Sequence, residues 1–209
     1  MGRTRAGRAL RPPFGEFTPS REPGMIPFVI AVLNIHERAF TARPEDVGSL
    51  IDTLGSGGDL LWPPDWPPIR FDAPLAVGVH GGHGPVRYVV SHYVPGRWVR
   101  FRITGPRGFG GFHEFGVERL DDRHSVLRHT LVMRPLWPLW PAWPLFFRPL
   151  HDVVFRHCLD RAEHALTGGV AHPVRWSRYV RILRAVTARL APRLARGASE
   201  SVRCTHPQG

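Results

Sequence analysis

Apolar and polar residues alternate over several short stretches in the middle of the chain, a pattern typical of β-strands that bury one face. A first strand is predicted at Val29–Phe40, which is rich in Val and Ile. Further strand candidates follow at short intervals: Leu75–His80, Val86–Val94, Trp98–Thr104, Phe112–Leu120 and Ser125–Met133. The joints between them have turn composition, Gly81–Pro85 among them, and short joints favour hairpins. We therefore predict an antiparallel meander.

Two other stretches have the period of a helix. Pro44 and the acids that follow it predict a helix start, and the apolar residues of Val47–Leu54 lie on one face. Between Leu150 and Leu166 the apolar residues form one broad stripe at helical spacing. Gly168 and Gly169 end this second, longer helix.

The order of elements is strand, helix, loop, five strands and a long helix. The sheet exposes one apolar face and the long helix one apolar stripe, so the two must bury each other. We predict an α+β domain over residues 28–167, in which a curved antiparallel sheet wraps around the long C-terminal helix. Residues 1–24 are predicted to be a flexible basic leader, and residues 170–209 a basic amphipathic helix and tail.

The net charge of +11 is concentrated outside the predicted domain. Residues 1–24 carry +3 and residues 170–209 carry +7, whereas residues 25–169 carry only +1. A protein that binds nucleic acid is expected to show a basic patch on the fold itself. The distribution of charge therefore argues against nucleic acid as a partner.

Other features of the composition narrow the protein class. The two cysteines, Cys158 and Cys204, form neither a disulfide framework nor a zinc-binding spacing, which favours a reducing cytoplasm. The apolar run Ile26–Leu33 is too short for a transmembrane helix, which needs about 18 apolar residues or more. No small-residue cleavage site follows it, so we interpret the run as the opening of the first strand.

Three short motifs resemble a known superfamily. The segment Phe40–Val47 closes the first strand into a helix, Tyr93–Arg97 forms a mid-sheet hairpin, and Arg148–Asp152 begins the last helix. Their order and spacing resemble the SRPBCC superfamily, the helix-grip fold of START domains, polyketide cyclases/dehydrases and the birch-pollen allergen. The resemblance covers roughly residues 28–167. It implies a cavity for lipids, polyketides or other hydrophobic molecules, and it does not imply catalysis.

Strand alternation indicates which side chains face the space under the long helix. The inward sets of four strands are apolar except for three imidazoles, those of His92, His113 and His129. Sparse polar groups in an apolar pocket orient a ligand, although each histidine could equally be a half-buried residue with local hydrogen bonds. The predicted ligand-binding residues are His92, Phe101, His113, Phe115, His129, Leu131 and, at the cavity mouth, His151.

The sequence predicts neither a metal site nor a cofactor, and it identifies no catalytic residue. His80 and His83 flank two glycines that suit a turn, and zinc needs three or four ligands. His151 and Asp152 are adjacent on a helix, so their side chains cannot face each other. We expect Asp152 to stabilise the helix N-terminus, and we find no oriented pair of histidine and acid.

Two aromatic or amphipathic segments suggest an additional surface. Residues 137–147 concentrate Trp and Phe, which either cap the cavity or contact a membrane or partner. Residues 174–194 form an amphipathic helix in which Tyr179, Ile182, Leu183 and Val186 share a stripe and Arg lies largely off it. Such a helix either lies on an anionic membrane, docks on its own domain or pairs in a dimer.

Three functions remain open at this point. The first is a carrier or sensor that binds a hydrophobic small molecule in an internal cavity. The second is a polyketide cyclase or dehydratase in which a cavity histidine acts as general base. The third is a membrane-surface or partner-binding protein, located in the cytoplasm and peripheral at the membrane. The absence of inward carboxylate pairs and of a recognisable nucleophile favours the first.

Overall fold

The computed structural model describes residues 31–136 and 140–189. The predicted leader at residues 1–24, residues 137–139 of the aromatic segment and the tail from residue 190 lie outside the described residues. Among the described residues no helix is both long and apolar enough to cross a membrane.

Seven antiparallel strands form one curved sheet. The strands are β1 (Val32–Phe40), β2 (Arg70–Phe71), β3 (His80–His83), β4 (Val86–Val94), β5 (Trp98–Gly105), β6 (Phe109–Arg119) and β7 (Ser125–Pro135). Their order in the sheet is β1-β7-β6-β5-β4-β3-β2, so that β3 to β7 correspond to the predicted meander and β2 extends it by a short strand that was not predicted. The first strand pairs with the last, with Val32 opposite Met133 and Phe40 opposite Ser125.

The prediction for the third strand was wrong by several residues. Gly81 and Gly82 were expected in a turn, but they lie inside β3, and the turn follows at Gly84. The reason is a close approach between two strands. A Cβ atom at Gly81 would lie 2.4 Å from the ring of Phe71 on β2, so glycine lets the strands pair beneath that ring.

Helix α1 (Pro44–Asp52) begins and ends near the predicted positions. It lies directly against the β4–β5 turn, because a Cβ atom at Gly48 would be only 1.8 Å from the carbonyl oxygen of Gly96. The carboxylate of Asp52 accepts hydrogen bonds from the Gly96 amide, at 2.8 and 2.9 Å, and from the Tyr93 hydroxyl at 2.8 Å. These contacts attach the helix to one end of the sheet.

The long helix α2 (Arg148–Thr167) follows a π-helical turn at Trp143–Phe147 and ends at Gly168, which adopts the left-handed conformation with φ of 79°. Its buried residues are Val153, Val154, Phe155, Cys158, Leu159 and Ala162. All of them except Val153 join one core with buried residues of α1 and of the sheet. The α+β helix-grip architecture predicted from the sequence is thereby confirmed.

The polypeptide after α2 returns to the domain. Residues 178–189 form helix α3, which buries Val180 and Leu183. The side chain of Trp176 donates a hydrogen bond to His157 on α2 at 2.9 Å. The predicted stripe is split, because Tyr179 and Ile182 are exposed while Leu183 is buried. The helix therefore presents apolar side chains on two faces, one docked and one in solvent.

Candidate functional site

The inward face of the sheet contains most of the predicted ligand-binding residues. Cross-strand pairing places Phe101 beside His113, His113 beside Leu131, and Phe115 beside His129. All five side chains are buried. The register deduced from alternation on β5, β6 and β7 is thus the register of the structure, and these residues form one continuous patch beneath α2.

His92 does not belong to this patch, and its predicted inward position was wrong. The pairing of β4 with β5 shifts between Val90 and His92, which marks a β-bulge or irregularity. A bulge adds one residue and reverses which side chains face inward beyond it. His92 is exposed, with its ring 5.3 Å from that of Trp98, whereas Tyr88 and Val90 are buried.

The space under the patch is filled by a side chain of α2. The rings of His129 and Phe155 stack with centroids 3.4 Å apart and an interplanar angle of 13°. Phe155 also lies 5.7 Å from the ring of Phe115 and 6.5 Å from that of His113. Through Phe155 the sheet and α2 are therefore in direct contact. The ring of Phe155 lies between the inward side chains of the sheet and the backbone of α2.

Five imidazoles form a row through the core. Successive ring centroids are 6.4 Å apart from His83 to His113, 5.7 Å to His129, 5.3 Å to His151 and 5.8 Å to His36. Four of the five imidazoles lie on strands β3, β6, β7 and β1, and the fifth, His151, lies at the end of the first turn of α2. Two imidazoles of the row, those of His36 and His83, were not among the predicted ligand-binding residues. His36 continues the inward alternation of β1, which could have identified it, whereas His83 had been assigned to a turn.

Four imidazoles of the row, those of His83, His113, His129 and His151, are held in the neutral form. Burial, with a smaller contribution from the charge of Arg87, lowers the pKa of His83 to about 4. Burial lowers the pKa of His113 to about 3. Burial, reinforced by neighbouring imidazoles, also holds the pKa values of His129 and His151 well below the usual range. Neutral imidazoles can act as hydrogen-bond partners, proton acceptors or metal ligands.

Several polar atoms of the row have no hydrogen-bond partner among the described residues. They are Nδ1 of His83, both ring nitrogens of His113 and of His129, and Nδ1 of His151, and the hydroxyl of the neighbouring Tyr88 also lacks a partner. A buried polar group without a partner costs about 1–3 kcal/mol. A row of such groups in one core is costly for a purely structural role, and binding sites are a common reason for retaining them.

Asp152 lies where the row reaches β1. Its Oδ1 atom accepts a hydrogen bond from Asn34 at 2.9 Å and lies 3.2 Å from Nε2 of His36, while Arg148 is 3.6 Å from Oδ2. Burial opposes ionisation of the carboxyl, but the close groups of His36 and Asn34 outweigh it, so the pKa of Asp152 falls below its usual value. The sequence revealed no such pair of histidine and acid, because the partners lie on different elements.

The positions of His151 and Asp152 differ in part from the prediction. The two side chains make separate contacts, as their adjacency on α2 required. His151 lies 5.6 Å from the ring of Trp143, beside the π-helical turn. Asp152 was expected to stabilise the helix N-terminus, but α2 begins at Arg148 and the carboxylate bonds to the side chain of Asn34 on β1.

A surface pocket of about 350 Å³ opens next to this end of the row. It is lined by Ala31, Val32, Leu33, Asn34, Trp140, Trp143, Pro144 and Arg148. Asn34 is shared between the pocket and the group around Asp152. The pocket therefore adjoins the end of the row at which Asp152 lies. A second surface pocket, of about 530 Å³, lies between β1 and the far end of α2.

The fold is similar to that of solved structures at low sequence identity. A protein from Thermobifida fusca is 15% identical with a TM-score of 0.54, over 68% of this chain and 99% of that one. Norcoclaurine synthase from Thalictrum flavum, in complex with dopamine and hydroxybenzaldehyde, is 13% identical with a TM-score of 0.50, over 73% of this chain and 97% of that one. Neither a family model nor a curated protein matches this sequence.

These similarities concern the fold. They agree with the helix-grip architecture. At identities of 11–15% the individual site residues are not carried over from one chain to the other. Only the residues of this protein therefore indicate the chemistry of the row.

Proposed function

We propose that this protein binds a hydrophobic small molecule between the sheet and α2, as a carrier or sensor. The observation that carries the proposal is the row of imidazoles in an otherwise apolar interior, with His113 and His129 buried at its centre and the pKa values of both lowered by burial. An apolar wall with a few hydrogen-bonding groups is the usual composition of a small-molecule site. The ligand we expect is largely apolar or aromatic and bears at least one group that hydrogen-bonds with imidazole.

Access is proposed through the pocket beside Asn34 and Trp143. A ligand entering there meets His151 first, and deeper entry requires the ring of Phe155 to leave its stack on His129. Side chains of the π-helical turn pack around this route, since Phe147 contacts Phe109 with ring centroids 5.1 Å apart. Adjustment of this turn and rotation of Phe155 would convert the packed interior into a binding cavity.

The proposal is tested by identifying what the protein retains. Full-length protein is purified under mild conditions, and native and denatured samples are compared by mass spectrometry. The expected result is a bound lipid or polyketide-like molecule that is released on denaturation and is lost or reduced in a His129→Gln variant. Retention of the same molecule by a variant with bulk added at the site, such as Val154→Phe, would contradict binding between sheet and helix.

An enzymatic role is the alternative for the same site. The observation that favours it is the approach of His36 Nε2 to Asp152 Oδ1, because a carboxylate that orients an imidazole is a recurrent device of general acid–base catalysis. A cyclase or dehydratase would use one imidazole of the row as the base. Turnover of a polyketide that disappears in His36→Gln, while binding persists, would favour this alternative over a carrier.

Peripheral membrane contact is proposed for a separate surface. Ile182 and Tyr179 are exposed on α3, and Tyr179 donates a hydrogen bond to the carbonyl of Leu145, which is also exposed. Arg178 and Arg181 lie exposed on the same helix. Exposed apolar side chains among arginines suit the interface of an anionic membrane. The surface includes described parts of both segments, 137–147 and 174–194, for which the sequence suggested this role.

A further inference from the structure

Three side chains with metal-ligating groups converge where β1 meets the first turns of α2. They are His36, His151 and Asp152, and one ligand atom of each lies within 4.8 Å of the other two. We propose that these three residues bind a divalent transition-metal ion, for which zinc is the best match. This inference does not depend on the proposed binding of a hydrophobic molecule, and it revises the expectation from sequence that no metal is bound.

The donor set has the chemistry that such an ion prefers. Two imidazoles and one carboxylate are a common set of protein ligands in catalytic zinc sites, and the same set with open positions occurs at non-haem iron. Oxygen-rich sites suit magnesium or calcium instead. Two nitrogens and one oxygen therefore point to zinc or a neighbouring transition metal.

The geometry of one ligand pair already fits. In a tetrahedral zinc site with bonds of about 2.1 Å, neighbouring ligand atoms are about 3.4 Å apart. Nε2 of His36 and Oδ1 of Asp152 are 3.2 Å apart. At this distance the two atoms make a polar contact that coordination of a metal would replace. The widest separation, at most 4.8 Å, has to close by up to about 1.4 Å, which rotation of an imidazole side chain can supply.

The nitrogens are available to a metal. Nε2 of His36 and Nδ1 of His151 are both buried, and Nδ1 of His151 has no hydrogen-bond partner within the described part of the chain. Nε2 of His36 faces Oδ1 of Asp152, the third proposed ligand. Coordination would satisfy the nitrogen of His151 that is otherwise buried without such a partner.

The surroundings of Asp152 also suit a ligand. Asn34 donates a hydrogen bond to Oδ1 at 2.9 Å, which orients the carboxylate as partners of metal ligands commonly do. Arg148 lies 3.6 Å from the other oxygen, Oδ2, on the solvent side. The guanidinium reduces the attraction for a cation, so we expect affinity below that of zinc sites with three or four unopposed protein ligands. Because the guanidinium lies beside Oδ2, Oδ1 is the carboxylate oxygen that would coordinate the metal.

Three protein ligands leave a coordination position for water or another molecule. The pocket of about 350 Å³ shares Asn34 with this site and opens to solvent beside Trp143. A molecule in that pocket with an oxygen or nitrogen donor could take the open position. The proposed metal would then contribute an anchoring point at one end of the imidazole row.

The test uses full-length protein without a histidine tag, stripped of metal with a chelator. We expect calorimetric titration with Zn²⁺ to give one equivalent bound with a micromolar or lower dissociation constant. Co²⁺ should bind at the same site and produce the visible absorption of a four- or five-coordinate ion. Asp152→Asn and His36→Gln should each weaken Zn²⁺ binding by more than about 100-fold, since even the loss of an outer-shell partner costs 10- to 100-fold.

The matched control is an exposed pair of histidine and acid outside the proposed metal site. His124 and Asp121 are 2.8 Å apart in the β6–β7 turn, with the side chain of His124 48% exposed. His124→Gln should leave Zn²⁺ affinity unchanged within about twofold. Equal weakening by His124→Gln and Asp152→Asn would show adventitious surface binding and would overturn the proposal.

X-ray absorption of the Zn²⁺-loaded wild type keeps the test decisive if a variant does not fold. The spectrum should show two imidazole ligands in a shell of nitrogen and oxygen donors. Fewer than two imidazoles, or the absence of stoichiometric binding to folded wild-type protein, would also overturn the proposal. Either result would leave the binding of a hydrophobic molecule to be judged by its own experiment.

Discussion

The ring of Phe155 on α2 lies parallel to the ring of His129 on β7, with centroids 3.4 Å apart. This stack connects the long helix to the centre of the imidazole row. Under the proposed function, Phe155 is the side chain that has to move for a ligand to enter between the sheet and α2.

Replacing Phe155 with Ala should open the interior. We expect binding of an apolar fluorescent dye to increase, while the free energy of unfolding falls by about 3–5 kcal/mol through loss of buried area and cavity formation. Phe155→Leu is the control, and its loss should be distinctly smaller. Dye titration and urea unfolding measure the two effects. A destabilised Ala variant with no gain in dye binding would argue against Phe155 as the gate.

His113→Gln distinguishes a carrier from an enzyme. If the row only binds, affinity for the co-purified molecule should change by about 1–3 kcal/mol, because a buried hydrogen bond is lost or left unpaired. If the row is catalytic, loss of a general base should reduce turnover roughly 100- to 10,000-fold at nearly constant affinity. Isothermal titration and a turnover assay on the same preparation separate the outcomes. His92→Gln is the control, since His92 is exposed on the other face.

Stability should fall as the solution becomes acidic. The pKa of His83 is about 4 in the folded state, against about 6.5 in the unfolded chain, and that of His113 is about 3. Between the folded-state pKa and 6.5 the unfolded chain binds more protons than the folded protein. The free energy of unfolding therefore rises with pH in this range and decreases as the pH falls below about 6.5. Each histidine contributes a slope of about 1.4 kcal/mol per pH unit.

Replacing His83 tests this dependence. Around it lie Arg87, Tyr88 and His113, of which the charge of Arg87 acts in the same direction as burial. The variant His83→Gln should show a shallower loss of stability between pH 6.5 and 4, by about one proton, in urea unfolding followed across pH. An unchanged slope would mean that His83 is solvated or protonated in the folded protein.

Gly48→Ala should destabilise the attachment of α1 to the sheet. The added Cβ atom would lie 1.8 Å from the backbone oxygen of Gly96, and backbone cannot yield as a flexible side chain can. We expect a loss of about 3 kcal/mol in the free energy of unfolding. Gly57→Ala, where nothing lies within 4 Å of the new atom, should change it by less than about 0.5 kcal/mol. Thermal or urea unfolding compares the two variants directly.

Neighbouring residues of α3 separate membrane contact from docking. Ile182 is 61% exposed and Leu183 only 7%. Ile182→Ser should weaken sedimentation with vesicles containing phosphatidylserine while leaving unfolding unchanged. Leu183→Ser should lower the free energy of unfolding by about 2 kcal/mol through loss of a buried side chain. Wild-type protein that fails to sediment with the anionic vesicles, or binds neutral phosphatidylcholine vesicles equally well, would contradict an anionic membrane as the partner.

The sequence by itself determined the architecture. The period of two over β5, β6 and β7 specified which side chains face inward, including His113, His129 and Leu131. The helical stripe specified the buried face of α2. Both patterns are local, because neighbouring side chains in a strand or helix have fixed relative directions. Alternation on β1 would have identified His36 by the same reasoning.

Only the tertiary structure decided the composition of the site. His92 faces outward because a shift in the pairing of β4 with β5 reverses which side chains point inward beyond Val90. The amino-acid composition of the strand does not indicate this shift. Asn34 and Asp152 are 118 residues apart in the sequence. They meet because the first strand, β1, pairs with the last strand, β7, next to α2. Such meetings depend on strand order and register, which are set by packing between elements distant in sequence. Periodicity identifies the face of each residue, and the pairing of the elements decides its neighbours.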